Sequence, residues 1–543
     1  MSRLKSTIGA VVAAILVGMA VAACPLITQA AAVAQRSTSG SVAAAGPRSV
    51  ADGETLAGAF GTRYREVASF KGIPYAAPPV GALRWQAPQP HRASTGVRPA
   101  REFAAGCYQD NYNTQWYRRV GAAFGADPSV FQDPPFSEDC LYLNVWSADL
   151  RPAAKLPVIV WIHGGSNKAG WSFEPNYDGE NLAARGKVVV VTIAYRLGVF
   201  GYFGHPELRG TAAPTNFGLL DQIAALRWVQ RNIRAFGGDA SNVTVAGESA
   251  GASDLGYLMI SPLARGLFRR GISQSGGFHL QDAQQLADVE AVGIELSRAL
   301  PGAPNLAAMR ARSSAELFSA GQTALADHDY RPAVDGISLL KSPAVAYRQD
   351  GLPYDLLIGS NENEWYMYVD ADPAKLATAL QAFPPPARDT LAKRAAREPD
   401  AKHGNDKVFT LVNMVCSSYL MASRVRTPAH RAWVYRFTRV RPGPGGQQLL
   451  AYHGAEIPYV FDSHDAWFSS DRTETSLTSV MLTYWSNFAR TGDPNGPGLP
   501  RWPTYSLQTN QVMSLGDRVA PISGPDAELC PGLANELYPG WQS

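Results

Sequence analysis

The stretch Val243-Thr244-Val245-Ala246-Gly247-Glu248-Ser249-Ala250-Gly251 decides how the rest of the chain is read. A short β-branched run leads into Gly-x-Ser-x-Gly, and a helix-capable stretch follows to Met259. A serine held at a sharp strand-to-helix turn is crowded by its neighbours. Glycines at 247 and 251 remove the Cβ atoms that would clash there, and the turn lifts the hydroxyl clear of the backbone. The helix start then offers N–H groups and a partial positive charge to a developing oxyanion. A bare match to this pattern arises often by chance and would be a glycine-rich turn with an idle serine. The strand before it and the helix after it favour a nucleophile.

Outward from this turn, apolar runs of strand length recur at Leu156 to Ile162, Lys187 to Tyr195, Val243 to Ala246, Gly271 to Gln274, Tyr354 to Ile358 and Trp433 to Phe437. They are rich in Val and Ile and do not alternate, as expected of strands buried on both faces of a mostly parallel sheet. Helical patterns lie between them. Leu219 to Ile233 places Leu220, Ile223, Leu226, Trp228 and Val229 mainly along one stripe. Such alternation predicts an α/β fold with helices on both faces. Residues 280 to 350 and 370 to 430 read as Ala-rich and mostly helical, without a linker, and are expected to pack over the sheet's active edge and shape a gorge.

Upstream, Val160-Trp161-Ile162-His163-Gly164-Gly165-Ser166 ends another strand. A glycine pair there lets backbone N–H groups approach a substrate. Gly165 and Ser166, with Ala250 from the elbow, are the expected oxyanion donors.

Composition excludes several classes. The 543 residues are 46% hydrophobic and 17% charged, enough for a large core and unlike a disordered chain. Net charge is +3, and losing Arg3 and Lys5 with a leader leaves about +1. Without a Lys/Arg run, nucleic acid binding has no electrostatic footprint. The N-terminus reads as an export signal: basic Arg3 and Lys5, an apolar stretch from Ile8 to Ala23, then small residues around Ala30 to Ala34. The expected division is a removed signal over 1–34, a flexible Ser/Ala/Gly-rich lead-in over 35–48, and one domain over 49–543. Val21-Ala22-Ala23-Cys24 also resembles a bacterial lipoprotein box, in which Cys24 would carry a lipid anchor. No later apolar run is long enough to cross a bilayer. The expected location is therefore secreted, periplasmic or extracellular.

Cys107, Cys140, Cys416 and Cys530 remain after export, where disulfides persist. Four cysteines allow three connectivities. The pairing chosen is Cys107–Cys140, closing one loop, with Cys416–Cys530, tying down the tail. No CxxC or HExxH spacing suggests a metal, and neither metal nor organic cofactor is expected.

With these residues in place, the chain from about residue 50 onward resembles the type-B carboxylesterase family, which includes cholinesterases and bacterial para-nitrobenzyl esterases. The resemblance rests on Phe70-Lys71-Gly72-Ile73-Pro74-Tyr75-Ala76 with Pro78-Pro79 and Arg84-Trp85, and on Ser137-Glu138-Asp139-Cys140-Leu141-Tyr142-Leu143-Asn144-Val145. Phe236-Gly237-Gly238-Asp239 before the elbow, and Tyr484-Trp485-Ser486-Asn487-Phe488-Ala489 with Gly492-Asp493-Pro494-Asn495, add to it. The resemblance implies an α/β-hydrolase fold and the rest of a triad. In Gly359-Ser360-Asn361-Glu362-Asn363-Glu364 it points to Glu364 as the acid, leaving Glu362 as a solvated loop carboxylate. In His453-Gly454-Ala455-Glu456-Ile457-Pro458 it points to His453 as the base. The chain order Ser, acid, His is the one this fold uses. The same likeness implies both cysteine pairings, an Arg84–Glu138 ion pair, a structural His163, and support of the acid by Ser275.

The function implied is hydrolysis of a small carboxylic ester through an acyl-enzyme. Amidase, thioesterase and lipase variants share the machinery, and a non-catalytic cholinesterase-like binding protein is the rival of another class. One departure concerns the pocket. Relatives commonly have a third Gly or an Ala and then an aromatic after the glycine pair, whereas this chain has Ser166-Asn167-Lys168. Lys168 and Trp171 are candidate substrate contacts. If Lys168, Arg118 and Arg119 face the gorge, the substrate would be an anionic multi-ester of the fumonisin tricarballylate type; otherwise they are solvated charges.

Overall fold

The computed structural model describes residues 46–280, 284–464, 470–538 and 540–541. The expected leader, Cys24 and all of the lead-in before residue 46 lie outside the described residues. Arg48, placed in the lead-in by sequence, already pairs with Ala57 in a three-stranded sheet of Arg48–Ala51, Glu54–Ala57 and Val97–Pro99.

Eleven strands form the central sheet: β1 (Ala59–Phe60), β2 (Ala68–Pro74), β3 (Tyr142–Ser147), β4 (Leu156–Ile162), β5 (Val189–Ile193), β6 (Gly238–Glu248), β7 (Arg270–Gln274), β8 (Asp355–Asn361), β9 (Ala432–Phe437), β10 (Gln511–Leu515) and β11 (Ala520–Ser523). Their spatial order is β11-β10-β9-β8-β7-β6-β4-β5-β3-β2-β1. The run from β10 to β5 is parallel, and the pairings beyond it at both edges are antiparallel. All six apolar runs singled out in the sequence are strands of this sheet. Lys187 is not, because it sits at φ 51° and closes the preceding helix Glu180–Gly186.

Residues of one strand feed two core layers. Val158, Val160 and Ile162 pack into one, and Ile159 and Trp161 into the other. That period-2 division explains why strand residues of both parities are apolar. Helices α2 (Phe217–Asn232) and α3 (Ala250–Ile260) cover the first face, and α4 (Arg472–Thr491) covers the second. The segments expected to be helical are so, with Leu286–Arg298, Ser314–Ala324, Pro385–Ala395 and Ala401–Thr410 among their elements.

Helix α1 (Tyr112–Ala123), not expected from the sequence, lies inside the Cys107–Cys140 loop. Cys107–Cys140 and Cys416–Cys530 are the two disulfides. Arg84 Nε donates to Glu138 Oε2 at 2.7 Å, the ion pair that the resemblance implied. Among the described residues no helix is long and apolar enough to cross a membrane.

Candidate active site

Parallel strands open their carboxyl ends on one side, and a chain leaving there must turn sharply to return as a helix. β6 ends at Glu248, α3 begins at Ala250, and Ser249 between them holds φ 56°, ψ −124°. A Cβ on Gly247 would meet the Gly251 carbonyl carbon at 2.6 Å, and one on Gly251 would meet the Ile162 oxygen at 2.2 Å. Both glycines are therefore required by close backbone packing. The Ser249 N–H donates to the Gln274 carbonyl at 2.9 Å, which ties the elbow to the end of β7.

The neighbouring strand ends bring in the other groups. Glu364 follows β8 and is buried. Its Oε1 accepts from Ser275 Oγ and from the Asn361 N–H, both at 2.6 Å. Its Oε2 lies 2.6 Å from His453 Nδ1. The loop carrying His453 is held by Glu456, which accepts from Gln274 Nε2 at 2.9 Å and Asn361 Nδ2 at 2.6 Å. Glu362 points elsewhere. Its Oε2 accepts from Arg436 Nε at 2.7 Å, its Oε1 pairs with Lys407, and these cations outweigh burial to hold its carboxyl down at about 2. It is a structural ion-pair member, not the solvated loop carboxylate expected from sequence. Arg436 and Lys407 lie too far along the chain for local spacing to reveal that.

The second ring nitrogen, His453 Nε2, lies 3.3 Å from Glu248 Oε1. Among the described residues Ser249 Oγ makes no hydrogen bond, although Ser249 and His453 line the same cavity. Burial, together with neighbouring carboxylates, pushes Glu248 up to about 8, against the opposing pull of His453. Burial opposes the charged form of His453, but Glu248, the Glu364 bond and Glu456 together raise it above the ordinary histidine value. His163 is a different case. Burial holds it neutral, down at about 4, stacked 4.4 Å from the Tyr195 ring.

Gly164, Gly165 and Ser166 form one wall of the cavity. No described residue accepts from the Gly165 or Ser166 N–H, and Ala250 N–H is at the open start of α3. Gly164, the member of the glycine pair not assigned as a donor from sequence, approaches Ser249 closely: a Cβ there would meet Ser249 Cβ at 3.0 Å and the Glu248 carbonyl at 2.9 Å.

The cavity, about 680 Å³ with its mouth, is otherwise aromatic and acidic. Tyr112, Trp116 and Tyr117 come from α1, Tyr177, Trp365 and Tyr368 add further rings, and Glu174 and Glu248 add carboxyls. Glu174 is buried, with Asn113 Nδ2 at 3.0 Å and the Tyr117 hydroxyl at 2.9 Å donating to it, and burial pushes it up to about 7. No lysine or arginine is among these lining residues. Lys168 lies 4.8 Å over the Tyr112 ring, where burial lowers its pKa. Arg118 Nε donates to the Phe131 carbonyl at 3.0 Å, and Arg119 donates to the Met367 carbonyl. Trp171, a candidate substrate contact by sequence, is buried among Tyr117, Phe136 and Phe173 and is not on the cavity wall. Its large apolar ring is used in packing beneath the wall.

A buried serine on a strand-to-helix elbow, with a histidine–carboxylate pair from the next strand ends of a parallel sheet, defines an α/β-hydrolase. The profile described as the carboxylesterase family matches residues 53–528, and the chain belongs to that family. It is 33% identical over 508 residues to the fumonisin B1 esterase of Sphingopyxis macrogoltabida, covering 86% of each chain. It is 33% identical over 489 residues to the para-nitrobenzyl esterase of Bacillus subtilis, covering 86% of this chain and 95% of that one. A solved PNB esterase superposes with TM-score 0.76 at 29% identity, covering 91% of this chain and 99% of the other. The protein is an ester-hydrolysing enzyme.

Proposed function

We propose that this esterase works by two-step acyl transfer, with Ser249 as nucleophile, His453 as general base and Glu364 as its orienting carboxylate. The observation that carries this is the 2.6 Å contact between His453 Nδ1 and Glu364 Oε2 on a cavity that Ser249 also lines. With Nδ1 committed to Glu364, Nε2 is the nitrogen available to take the Ser249 proton as the hydroxyl attacks the ester carbonyl. Serine–base contacts are often loose in an empty site and tighten around substrate. N–H groups from the Gly164–Ser166 run and Ala250 hold the tetrahedral oxyanion, each such donor supplying about 3 kcal/mol. The protonated imidazole returns its proton to the departing alcohol. Water then repeats the sequence on the acyl-enzyme. Ser249→Ala is expected to abolish turnover with the fold intact, and an organophosphate is expected to label Ser249 in the native enzyme alone. Full activity in Ser249→Ala would reject the assignment.

The cavity wall favours neutral or positively charged esters over carboxylate-bearing ones, because two carboxyls and no lysine or arginine line it. A panel of para-nitrophenyl esters differing only in acyl charge tests this, and preference for the anionic member would reverse the reading in favour of a fumonisin-like substrate. The same reading makes the chain an exported enzyme with a removed leader over 1–34 and one catalytic domain over 49–543. Arg3, Lys5 and the apolar run behind them support export, and two disulfides suit an oxidising compartment. The mature N-terminus, read by mass spectrometry, separates a cut near Ala34 from a lipidated Cys24.

A further inference from the structure

Gly165, Ser166 and Asn167 are three consecutive residues with positive φ, at 101°, 56° and 55°. Left-handed backbone is unfavourable for residues other than glycine, so the surroundings must hold it. Asn167 is buried and bonded on both sides. Its Nδ2 donates to Asp254 Oδ1 at 3.1 Å, its Oδ1 lies 3.2 Å from the Tyr195 hydroxyl, and its carbonyl accepts from the Gly198 N–H at 2.7 Å. Asp254 stands on α3, the helix that starts with Ala250. Its other oxygen accepts from the Tyr202 hydroxyl at 2.9 Å and from the Gln222 amide. One helix thus supplies the Ala250 N–H directly and, through Asp254, grips the loop that carries the other donors.

We propose that Asn167 and Asp254 form a latch that sets the spacing between the two halves of the oxyanion hole, making Asn167 a positioning residue for ester hydrolysis. This rests on the reading of Ser249 as nucleophile with those N–H groups as donors. The latch acts on the transition state more than on substrate binding, because donors must sit about 2.7–3.1 Å from the oxyanion, a position the ground-state carbonyl oxygen does not occupy. A misplacement of about 1 Å costs on the order of 100-fold in rate.

The test compares three variants by steady-state kinetics and by the Ki of a trifluoromethyl ketone, whose hemiketal oxyanion occupies the hole. Asn167→Gly keeps left-handed backbone accessible while deleting both side-chain bonds. It is expected to lower kcat about 10- to 100-fold, with KM moving less than about threefold and the ketone Ki rising by the factor lost in kcat/KM. Asp254→Ala cuts the bond from the helix side and is expected to do the same, so it carries the test if Asn167→Gly fails to fold. Asp254→Asn keeps an acceptor for Asn167. Gln222 Oε1, buried without a partner among the described residues, can turn to meet the new amide. This variant is expected to stay within about threefold of the parent rate, since the bond is conserved. Unchanged kcat and ketone Ki in Asn167→Gly or Asp254→Ala, with Ser249→Ala inactive, would overturn the latch alone. Turnover surviving in Ser249→Ala would overturn the underlying reading instead.

Discussion

Glu248 Oε1 lies 3.3 Å from His453 Nε2, on the opposite edge of the ring from Glu364 Oε2 at 2.6 Å. The imidazole is therefore held between two carboxyls, and the two have different tasks. Glu364 is fixed by Ser275 and the Asn361 N–H, while Glu248 Oε1 makes no hydrogen bond to the ring and acts on it through charge.

The pH profile follows from this charge interaction. As the proposed base, His453 must be neutral, and its pKa is raised, so activity is expected to be lost as pH falls through a value above the ordinary 6.5. Glu248→Gln removes a carboxylate that favours the imidazolium. Its kcat/KM midpoint is expected to move down by about one unit, toward 6.5, in a profile run from pH 5 to 10. A midpoint that stays put would mean that Glu248 does not act on the charge of the ring.

The two candidate acids separate by what they lose. Glu364→Gln removes the charge that orients and stabilises the imidazolium, and kcat is expected to fall on the order of 10³- to 10⁴-fold with little change in stability. Glu362→Gln is expected to leave kcat within a few-fold and to lower stability by about 2 kcal/mol in urea unfolding, a figure discounted for partial exposure of the pair. Its folded pKa, at about 2, lies below the unfolded value. The stabilisation is therefore complete above the unfolded carboxylate pKa and is lost as pH falls toward 2. The gap between parent and Glu362→Gln should close in acid.

Much of this site was legible because it sits at strand ends, where chemistry and local pattern coincide. Gly247, Ser249 and Gly251 announce the elbow, and Val158 to Ile162 announce the strand behind the oxyanion loop. What stayed hidden joins residues far apart in the chain. Asp254 meets Asn167, and Arg436 and Lys407 meet Glu362, across distances that no periodicity reports. Trp171 misled because an aromatic near an oxyanion loop packs downward as readily as it faces a substrate. Helix α1 was missed although Tyr112, Trp116 and Val120 recur at four-residue spacing, because the stretch reads as a polar and aromatic loop between Cys107 and Cys140. Tyr112, Asn113, Trp116 and Tyr117 serve a cavity wall instead of the core alone.

That wall gives a prediction for Cys107 and Cys140. Their disulfide spans a separation of 33 residues and encloses α1. Replacing both cysteines by Ser should cost about 3–4 kcal/mol by the loop-entropy account. The kinetic effect is expected mainly in KM, rising several-fold for bulky esters. Helix α1 contributes wall residues but no member of the Ser249–His453–Glu364 set. A fall in kcat with KM unchanged would show instead that α1 positions the reacting groups.

Gly251 joins the elbow to the oxyanion loop through backbone alone. A Cβ placed there would lie 2.2 Å from the Ile162 oxygen and 2.7 Å from the His163 oxygen. Neither neighbour is a side-chain tip that could rotate away. In Gly251→Ala the first turn of α3 must shift from the end of β4, and about 1–3 kcal/mol of overpacking strain is expected. The same shift separates Ala250 N–H from the Gly164–Ser166 donors, so turnover should fall far more than stability. Thermal unfolding read beside kcat at a temperature where the variant is folded checks this. A variant destabilised as expected but fully active would mean that the contact holds the fold and leaves the oxyanion geometry untouched.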